Sequence, residues 1–516
     1  MKRFFTPARI IGLILLLAGL WYFRTWFHTP VMFFYTRPEV IEGILVAWLV
    51  SRFGLGRWPF LTRQRRLELE VGTTQAGQPK TTTYRYRLLP LLAGLAFILI
   101  PLLFLLLGSW GRATYLAQTL PYEKIERLYD SSTRVRLMPF EVAYRYAKDS
   151  LQLSQYRLGT GNMVLRDGKL SWVFPLRPDG LVITFTRQNK GILVVDATTQ
   201  EKNSEMIQRD MRVGEGMQIT DNLWWNLFRK RYFVTTEDPY YIDKDGEIYT
   251  IVPAVRYEFR LYWGIVHTVP RFAGLFLVDT QGTVAFLSPE EARENPITAG
   301  NRIFPELLAR EYVNAYQFKL GVLNKLFIHE DQIQIQDVTS PIQINRQPFL
   351  IMTEKGPMWL VATEPYGESH GIFKIFIVDA VTGRLMLYEL PEQGILTGPV
   401  RAADYVRRAN PIVDWSRFEL VEPLPFIRDG HLFWKFAVIP GDAAGIAYQA
   451  FVNSESNEVV EAQTDQDVAA FLAGRTPEAF PATGTTGDIG EIIRQIQEKL
   501  KEIEDLIRQL QSLETE

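Results

Sequence analysis

Residues 372–383, with the sequence IFKIFIVDAVTG, contain the local pattern that decides the fold of most of the chain. An apolar run that ends at Val378 is followed by Asp379 and, four residues later, by Gly383. An aspartate side chain accepts hydrogen bonds from the backbone amides that follow it, and glycine adopts the positive φ that closes a bulged hairpin. The segment therefore predicts a strand, a tight turn and a returning antiparallel strand.

The same strand-and-turn pattern recurs at three other places, where turns begin at Val195, Val278 and Val452. From the first turn to the last, the Asp or Asn positions lie 83, 100 and 74 residues apart. Such intervals are typical of one small domain per repeat. The apolar strands that precede the turns are Leu170–Phe174, Ile248–Val252, Met358–Ala362 and Leu432–Val438.

Helical segments precede three of these repeats, at 139–151, 305–318 and 398–409. A helix that covers one face of a three-stranded antiparallel sheet forms an α+β unit. We therefore predict an α+β region of tandem modules for this part of the chain. The apolar segments before it and the heptad pattern after it predict a membrane protein with N-terminal transmembrane helices, an exported α+β region and a C-terminal coiled coil. The predicted boundaries are 1–112 for the membrane domain, 113–205, 206–300, 301–394 and 395–474 for four modules, 475–488 for a linker, and 489–516 for the coiled coil.

The turn Val378–Gly383 resembles the signature of the PepSY-type domain, in which a strand ends in Val-Asp-Ala-x-Thr-Gly and another strand follows. The other three turns match this signature less well, with departures at Thr280 and Asn453. The resemblance covers roughly 300 residues. It implies extracytoplasmic modules that act by binding or inhibition without catalytic residues, and in which the Asp residues form turns.

Three apolar segments lie near 10–27, 38–54 and 88–110, and the last has 23 residues without a charge, enough to span a bilayer. The loop 55–87 is rich in Arg and Lys, so the positive-inside rule places this loop and the N-terminus in the cytoplasm. Both are cytoplasmic only if 38–54 crosses, which predicts about three spans and an extracytoplasmic C-terminal region. If that segment does not cross, two spans remain and the large region is cytoplasmic. Glu42 indicates either an ion pathway or a carboxylate near the interface.

The C-terminal segment 489–516 has the 3.5-residue apolar period of a coiled coil. Isoleucine at both types of core position favours three or four strands over a parallel dimer. We therefore predict a homo-oligomer of three or more copies; the alternative is a helix docked on the globular region or on another protein's helix. The predicted oligomerisation residues are Ile489, Ile493, Ile496, Leu500, Ile503, Ile507 and Leu510.

Composition excludes several classes of function. The 516-residue chain has a net charge of −2, five histidines and no cysteine. A near-neutral balance argues against a general nucleic-acid binder, and the lack of cysteine excludes disulfides and thiolate-bound metals. The histidines lack metal-ligand spacing. The sequence therefore predicts no metal, no cofactor and no nucleic-acid partner.

Two motifs resemble catalytic or metal-binding loops. Gly367–Gly371 matches G-x-S-x-G, but that nucleophile motif requires a following helix, whereas an apolar strand follows here. Asp243–Gly246 resembles a calcium loop, but its glycine comes too early and the glutamate at the twelfth position is missing. We interpret both as hairpin turns, and the sequence predicts no catalytic residue and no enzyme.

The segment 223–233 combines aromatic residues with a basic cluster. Trp and Tyr favour the lipid headgroup region, and each Lys or Arg gains about 1 kcal/mol near anionic lipid. We predict contact with the membrane or with an acidic partner; the alternative is a strand with a solvated basic end. The candidate contact residues are Trp224, Trp225, Arg229, Lys230 and Arg231.

Together these features predict a non-enzymatic, membrane-anchored scaffold or assembly protein of a bacterial-type envelope. Its large C-terminal region is expected outside the cytoplasm of a plasma or internal membrane, where PepSY-like modules bind partners and the coiled coil collects copies anchored in one bilayer. The alternatives are an accessory subunit of a larger membrane complex and a transport or conductance component. The predicted partners are the lipid bilayer, further copies of the chain and other envelope proteins.

Overall fold

The computed structural model describes residues 7–54, 64–73, 79–335, 347–367, 371–390 and 394–475. The chain divides into two compact units, Met1–Asp465 and Gln466–Glu516. The first unit is a mixed α+β structure with several antiparallel sheets. In the second, the described part ends at Arg475, so the predicted oligomerisation helix 489–516 lies outside the described residues.

The N-terminal region consists of short helices. The axis bends by 65° between Ile11–Tyr22 and Arg24–Thr36, so the segment predicted near 10–27 is not one straight helix. A proline begins the third helix, a position where its missing N–H leaves no hydrogen bond unmade. The elements are α1 (Pro7–Tyr22), a 3-10 turn (Arg24–Phe27), α2 (His28–Thr36), α3 (Pro38–Leu49) and a π-helical turn (Val50–Gly54).

A β-hairpin follows, formed by β1 (Gln64–Thr73) and β2 (Pro79–Arg87), and leads into the long helix α4 (Leu88–Thr119). Among the described residues, Leu92–Thr119 is long and apolar enough to cross a membrane, and the bent pair of α1 and α2 is a further candidate for one crossing. The second predicted segment, 38–54, is divided between α3, with only 12 residues, and the π-helical turn.

Helices α3 and α4 pack closely and antiparallel. One face of α3 buries Glu39, Gly43 and Ala47, spaced four residues apart along the helix. A Cβ at Gly43 would lie 2.6 Å from Cα of Pro101, and a Cβ at Gly108 would lie 2.7 Å from Cδ of Glu39. Small residues allow two helix backbones to approach in this way. Later residues of α3 therefore meet earlier residues of α4.

The first two sheets follow in chain order, after the short strand β3 (Tyr122–Lys124). The first sheet is preceded by α5 (Phe140–Ser150) and contains β4 (Tyr156–Leu158), β5 (Asn162–Arg166), β6 (Lys169–Pro178), α6 (Ile183–Thr186) as a connection, β7 (Asn189–Asp196) and β8 (Ser204–Met211). The second is preceded by α7 (Leu223–Lys230) and contains β9 (Thr235–Thr236), β10 (Tyr240–Lys244), β11 (Glu247–Tyr262), β12 (Ile265–Val278) and β13 (Val284–Leu287), followed by α8 (Pro289–Glu294).

The third sheet is preceded by α9 (Glu306–Ala315), and its edge strand β3 pairs in parallel with Leu385–Leu387. Its other strands are β14 (Ile333–Ile335), β15 (Phe349–Thr353), β16 (Gly356–Pro365), β18 (Lys374–Asp379) and β19 (Leu385–Glu389), and β17 (Gly371–Ile372) pairs separately with β20 (Leu396–Thr397). The fourth sheet follows α10 (Pro399–Ala409) and contains β21 (Phe418–Arg428), β22 (His431–Pro440), β23 (Tyr448–Asn453) and β24 (Val459–Ala462), after which α11 (Asp465–Leu472) begins.

The repeated turns have the predicted hydrogen bonds. One side-chain oxygen of Asp196, Asp379 and Asn453 accepts from the backbone N–H two residues on, at 2.8 Å in each case. Asp279 accepts from the backbone N–H four residues on, at 2.8 Å. Gly383 has a φ of 75°, the left-handed conformation that glycine permits. The turn-forming role of these Asp and Asn residues is thus confirmed.

The sheets share their cores. One buried apolar cluster contains Val194 of the first sheet, Leu275 of the second and Phe376 of the third, together with Leu116 of α4. A second cluster joins α5 and the first sheet to Ile439 of the fourth. Burial of apolar surface is the main stabilising contribution to folding, so the sheets and the end of α4 stabilise one another.

Candidate binding groove

The segment predicted to contact a membrane or partner forms helix α7. Asn222 caps its start, because the Asn222 side chain accepts a hydrogen bond from the backbone N–H of Trp225 at 3.1 Å. One face buries Leu223, Trp225 and Leu227, while Arg229 and Lys230 lie in the last turn. Cations are favourable at this end of a helix. The segment is therefore a capped amphipathic helix, and the alternative of a strand with a basic end is wrong.

Helix α7 packs against the bend that follows α1. The Trp225 ring centroid lies 5.8 Å from that of Tyr22, 6.0 Å from that of Phe23 and 6.1 Å from that of Trp26. The guanidinium of Arg229 lies 5.2 Å from the centroid of the Tyr22 ring. Aromatic and cation–π contacts of this kind stabilise beyond the area they bury. They hold α7 against the end of the apolar helix α1.

Histidine 28 fixes the start of α2 against the residues after α7. Its Nε2 lies 3.0 Å from the carbonyl oxygen of Tyr232 and 3.1 Å from that of Val234. The imidazole also stacks on Phe228, with 3.5 Å between the ring centroids. In the same region, Arg24 donates to the carbonyl oxygen of Arg229 at 2.9 Å. The start of α2 is therefore fixed against α7 and the residues that lead from α7 into the second sheet.

Between α2 and α7 lies a groove of about 790 Å³, here called the α2–α7 groove. This volume is within the range of ligand pockets in proteins. Its lining is mixed: aromatic and apolar side chains alternate with hydroxyls and amides, and the charged residues Arg37, Glu237 and Asp238 lie at its edges. The principal apolar lining residues are Trp26, Met32, Phe33, Trp224, Trp225 and Phe228.

Two polar groups in the groove wall have unused hydrogen-bonding capacity. The indole Nε1–H of Trp225 and the hydroxyl of Thr25 are buried without a hydrogen-bond partner among the described residues. The Trp225 side chain is close to fully buried, with 4% of its residue surface exposed. A buried donor without a partner costs about 1–3 kcal/mol. Both residues line the groove, and the two polar atoms themselves are shielded from solvent.

The five residues predicted from sequence have different surroundings. Trp224 and Trp225 line the groove, and Arg229 contacts Tyr22 beside it. Arg231 lies over the ring of Phe286, 4.3 Å from its centroid, and lines a different pocket. Contact of any of them with lipid stays a prediction. Sequence reasoning missed Thr25, His28 and Arg37, because these residues are distant in sequence from α7.

The β11–β12 hairpin reaches the N-terminal helices. The backbone N–H of Val266 donates to both carboxylate oxygens of Glu42, at 3.1 and 3.3 Å. A Cβ at Gly111 of α4 would lie 2.9 Å from Cβ of Tyr262, which shows how closely the hairpin approaches. At the tip, Leu261 is 69% exposed and Trp263 is 87% exposed. The hairpin therefore joins the second sheet to α3 and α4.

Arg112 of α4 connects three elements at this junction. Its Nε donates to the carbonyl oxygen of Thr268 at 2.7 Å, and its Nη2 donates to the carbonyl oxygen of Thr36 at 2.9 Å. The Thr268 hydroxyl donates to the same Thr36 oxygen. Hydrogen bonds to charged groups are among the stronger ones in proteins. They fix the end of α2 and the hairpin on α4.

A buried charged cluster lies elsewhere, where the segment before α5 meets the fourth sheet. Arg136 Nη2 is 2.7 Å from Glu422 Oε1, and Lys435 Nζ donates to the carbonyl oxygen of Arg136 at 2.8 Å. Burial, and next the carboxylate of Glu422, raises the pKa of Glu141 to about 7. Burial lowers the pKa of Lys435 to about 8. Arg136 and Glu422 neutralise each other and Lys435 is bound to the backbone, whereas Glu141 Oε2 is buried without a hydrogen-bond partner among the described residues.

Of the two motifs that resemble functional loops, the structure describes Asp243–Gly246 completely and Gly367–Gly371 only in part. Asp245 and Gly246 have φ values of 55° and 77° and close the hairpin between β10 and β11, as predicted. Ser369 and His370 lie outside the described residues. Within the described ranges, no group of three or more His, Cys, Asp or Glu residues is arranged to hold a metal ion.

Comparison with known proteins gives little guidance. No family model and no curated protein matches the chain. Among solved structures, an exo-1,5-α-L-arabinanase from a bovine ruminal metagenomic library is 11% identical, with 63% of this chain and 82% of that chain covered and a TM-score of 0.17. An α-L-arabinofuranosidase from Lactobacillus brevis is 10% identical, with coverages of 62% and 76% and a TM-score of 0.16. Such low TM-scores carry no implication for fold or activity.

Proposed function

We propose that this chain is a non-enzymatic, membrane-anchored scaffold or assembly protein of a bacterial-type envelope. The observation that carries the proposal is the junction of the β11–β12 hairpin with α3 and α4. There Glu42 accepts from Val266, and Arg112 bonds both Thr36 and Thr268. These contacts give the sheets a fixed position on the apolar helices, which suits a protein that presents binding modules at a bilayer.

We infer three membrane crossings, formed by α1, by α3 with its π-helical turn, and by α4. The 17 residues of Pro38–Gly54 extend about 25 Å, close to the hydrocarbon thickness of about 30 Å. Gly43 lies beside Pro101 and Glu39 beside Gly108, which supports α3 and the apolar part of α4 sharing the same depth. Helix α2 then connects α1 to α3 along the sheet side. In this arrangement the N-terminus and the β1–β2 hairpin lie on the opposite, cytoplasmic side.

The four sheets, each preceded by a helix, support four PepSY-like modules that act by binding. The C-terminal helix is proposed to bring at least three such anchored chains together. Tethering in one bilayer raises the effective concentration of the helices, so a modest bundle would suffice. Partner binding by the modules and assembly by the helix are separate functions of separate parts of the chain.

The test is the mass of the solubilised complex, measured by native mass spectrometry with and without residues 488–516. A homo-oligomer of three or more copies that dissociates on deletion supports the proposal. A monomer, or a complex with other polypeptides, contradicts self-assembly and favours an accessory subunit.

The chain has no cysteine, so Ile412→Cys, at a position that is 80% exposed, provides a unique label for topology. In intact cells an impermeant maleimide should label this cysteine if the sheets lie outside the cytoplasm.

A further inference from the structure

The α2–α7 groove lies next to the proposed membrane surface. Its wall begins at Thr25 and Trp26, directly after the bend that ends α1. Along α1, side chains such as Leu15 and Leu17 are more than half exposed and have no protein neighbours that cover them among the described residues. A molecule that lies against α1 in a bilayer can therefore also contact the groove.

We propose that the α2–α7 groove binds a single phospholipid of the surrounding bilayer. An acyl chain would lie against the rings of Phe33, Trp224 and Phe228. Ester or phosphate oxygens would accept hydrogen bonds from Trp225 Nε1–H and from the Thr25 hydroxyl. The proposal rests on the membrane anchoring proposed above and assigns a ligand class to the groove.

The charged groups at the groove edge are mixed: Arg37 is cationic, Asp238 is acidic, and the Glu237 carboxylate accepts hydrogen bonds from the first backbone N–H groups of α9. Of these groups, Arg37 can bind the phosphate of a phospholipid. Arg37 lines the groove, its side chain is exposed, and it forms none of the ion pairs identified among the described residues. A guanidinium binds phosphate oxygens in a bidentate arrangement. By contrast, Arg24 and His28 already contact backbone carbonyl oxygens of the α7 region. Arg37 therefore remains available for the headgroup.

The lining also favours an acyl chain over a peptide. Aromatic and apolar side chains of α2, α7 and the bend before α2 form one part of the wall, and the polar part consists only of side-chain groups: hydroxyls, two amides, the imidazole of His28, an indole and charges at the edges. A peptide brings a backbone N–H and C=O at every residue, and each requires a partner when buried. An acyl chain has no such requirement. One lipid thus matches the apolar part of the wall with its acyl chain and the polar part with its headgroup.

The test uses the full chain reconstituted in nanodiscs of phosphatidylethanolamine and phosphatidylglycerol. The phospholipid that remains bound to each chain after detergent exchange is counted by native mass spectrometry. Trp225→Phe removes the indole N–H and keeps an aromatic ring, and we expect it to weaken lipid retention roughly fivefold. Trp415→Phe is the matched control, because Trp415 also has a buried Nε1–H without a partner among the described residues but does not line the groove. This control should retain lipid as the unaltered chain does.

Liposome flotation of the same preparations separates the two proposals. If the unaltered chain does not float with liposomes, the membrane anchoring itself is wrong. If the chain floats and Trp225→Phe retains as much lipid as Trp415→Phe, the groove is not a lipid site and the anchoring stands. A bound peptide mass in place of phospholipid would also overturn the proposal. Thr25→Val, which removes the second polar group, provides an independent variant should Trp225→Phe fail to fold.

Discussion

Replacing Gly43 with alanine tests the close packing of α3 on α4. The new Cβ would lie 2.6 Å from Cα of Pro101 and 3.1 Å from Cβ of Phe104. Carbon atoms normally approach to about 3.5–4.0 Å, so the helices would have to separate by about 1 Å. Pro101 contributes a backbone atom that cannot rotate away. Overpacking of this kind costs about 1–3 kcal/mol, and we expect Gly43→Ala to be less stable by that amount than an alanine that meets no neighbour.

Gly94→Ala is the matched control, because a Cβ at Gly94 would meet nothing within 4 Å. Alanine favours a helix over glycine by about 1 kcal/mol, so this variant should be as stable as the unaltered chain or more stable. Gly43 lies inside a helix as well, so this gain is common to both alanine variants, which should differ by the packing cost of about 1–3 kcal/mol. Unfolding in mixed micelles, followed by circular dichroism at rising SDS fraction, measures the difference. Equal stability of Gly43→Ala and Gly94→Ala would refute the packing of the two helices described above.

Two further predictions concern the sheets. Because the pKa of Glu141 is raised to about 7, the folded state holds a proton that the unfolded state has lost, so this contribution to stability is complete below about pH 4.5 and is lost as the pH rises through 7. The free energy of unfolding of Glu141→Gln should therefore match that of the unaltered chain at pH 4.5 and exceed it by on the order of 1–3 kcal/mol at pH 8, as measured by thermal unfolding. A constant difference across this pH range would contradict the raised pKa of Glu141. Trp263→Cys, labelled with a solvatochromic dye, should emit at shorter wavelength in nanodiscs than dye on Ile412→Cys, because the exposed apolar hairpin tip adjoins α3 and α4, which we propose to cross the membrane. Identical spectra would place the tip in water.

Local patterns in the sequence predicted several elements well. Segments 139–151 and 398–409 correspond closely to α5 and α10, because helix periodicity and flanking Pro or Gly act within one window. The turn residues Asp379 and Gly383 have the predicted roles for the same reason: each hydrogen bond closes within a few residues. These features depend on short-range chemistry, which a single sequence records directly.

Contacts between distant segments were not predictable in this way. The α2–α7 groove combines Thr25 with Trp225, and the junction combines Glu42 with Val266, in both cases about 200 residues apart. Helix α7 had a usable signal that was overlooked, since Asn222 directly before an apolar segment is a typical helix N-cap. The bend after α1 had no comparable signal, because it depends on the packing of α7 and His28 against the residues around it.

The continuity of α4 has a mechanical consequence. The same helix runs from Leu88 to Thr119, and one face of its last part, from Gly108 to Ala117, is buried against α3, the hairpin and the shared core. Such a helix transmits force rigidly between its apolar part and the sheets, because it continues from one to the other without a loop. A sideways pull on the sheets would therefore tilt α4 and strain its contacts with α3. Pro101 interrupts the backbone hydrogen bonding of the helix and is the position at which bending under load should begin.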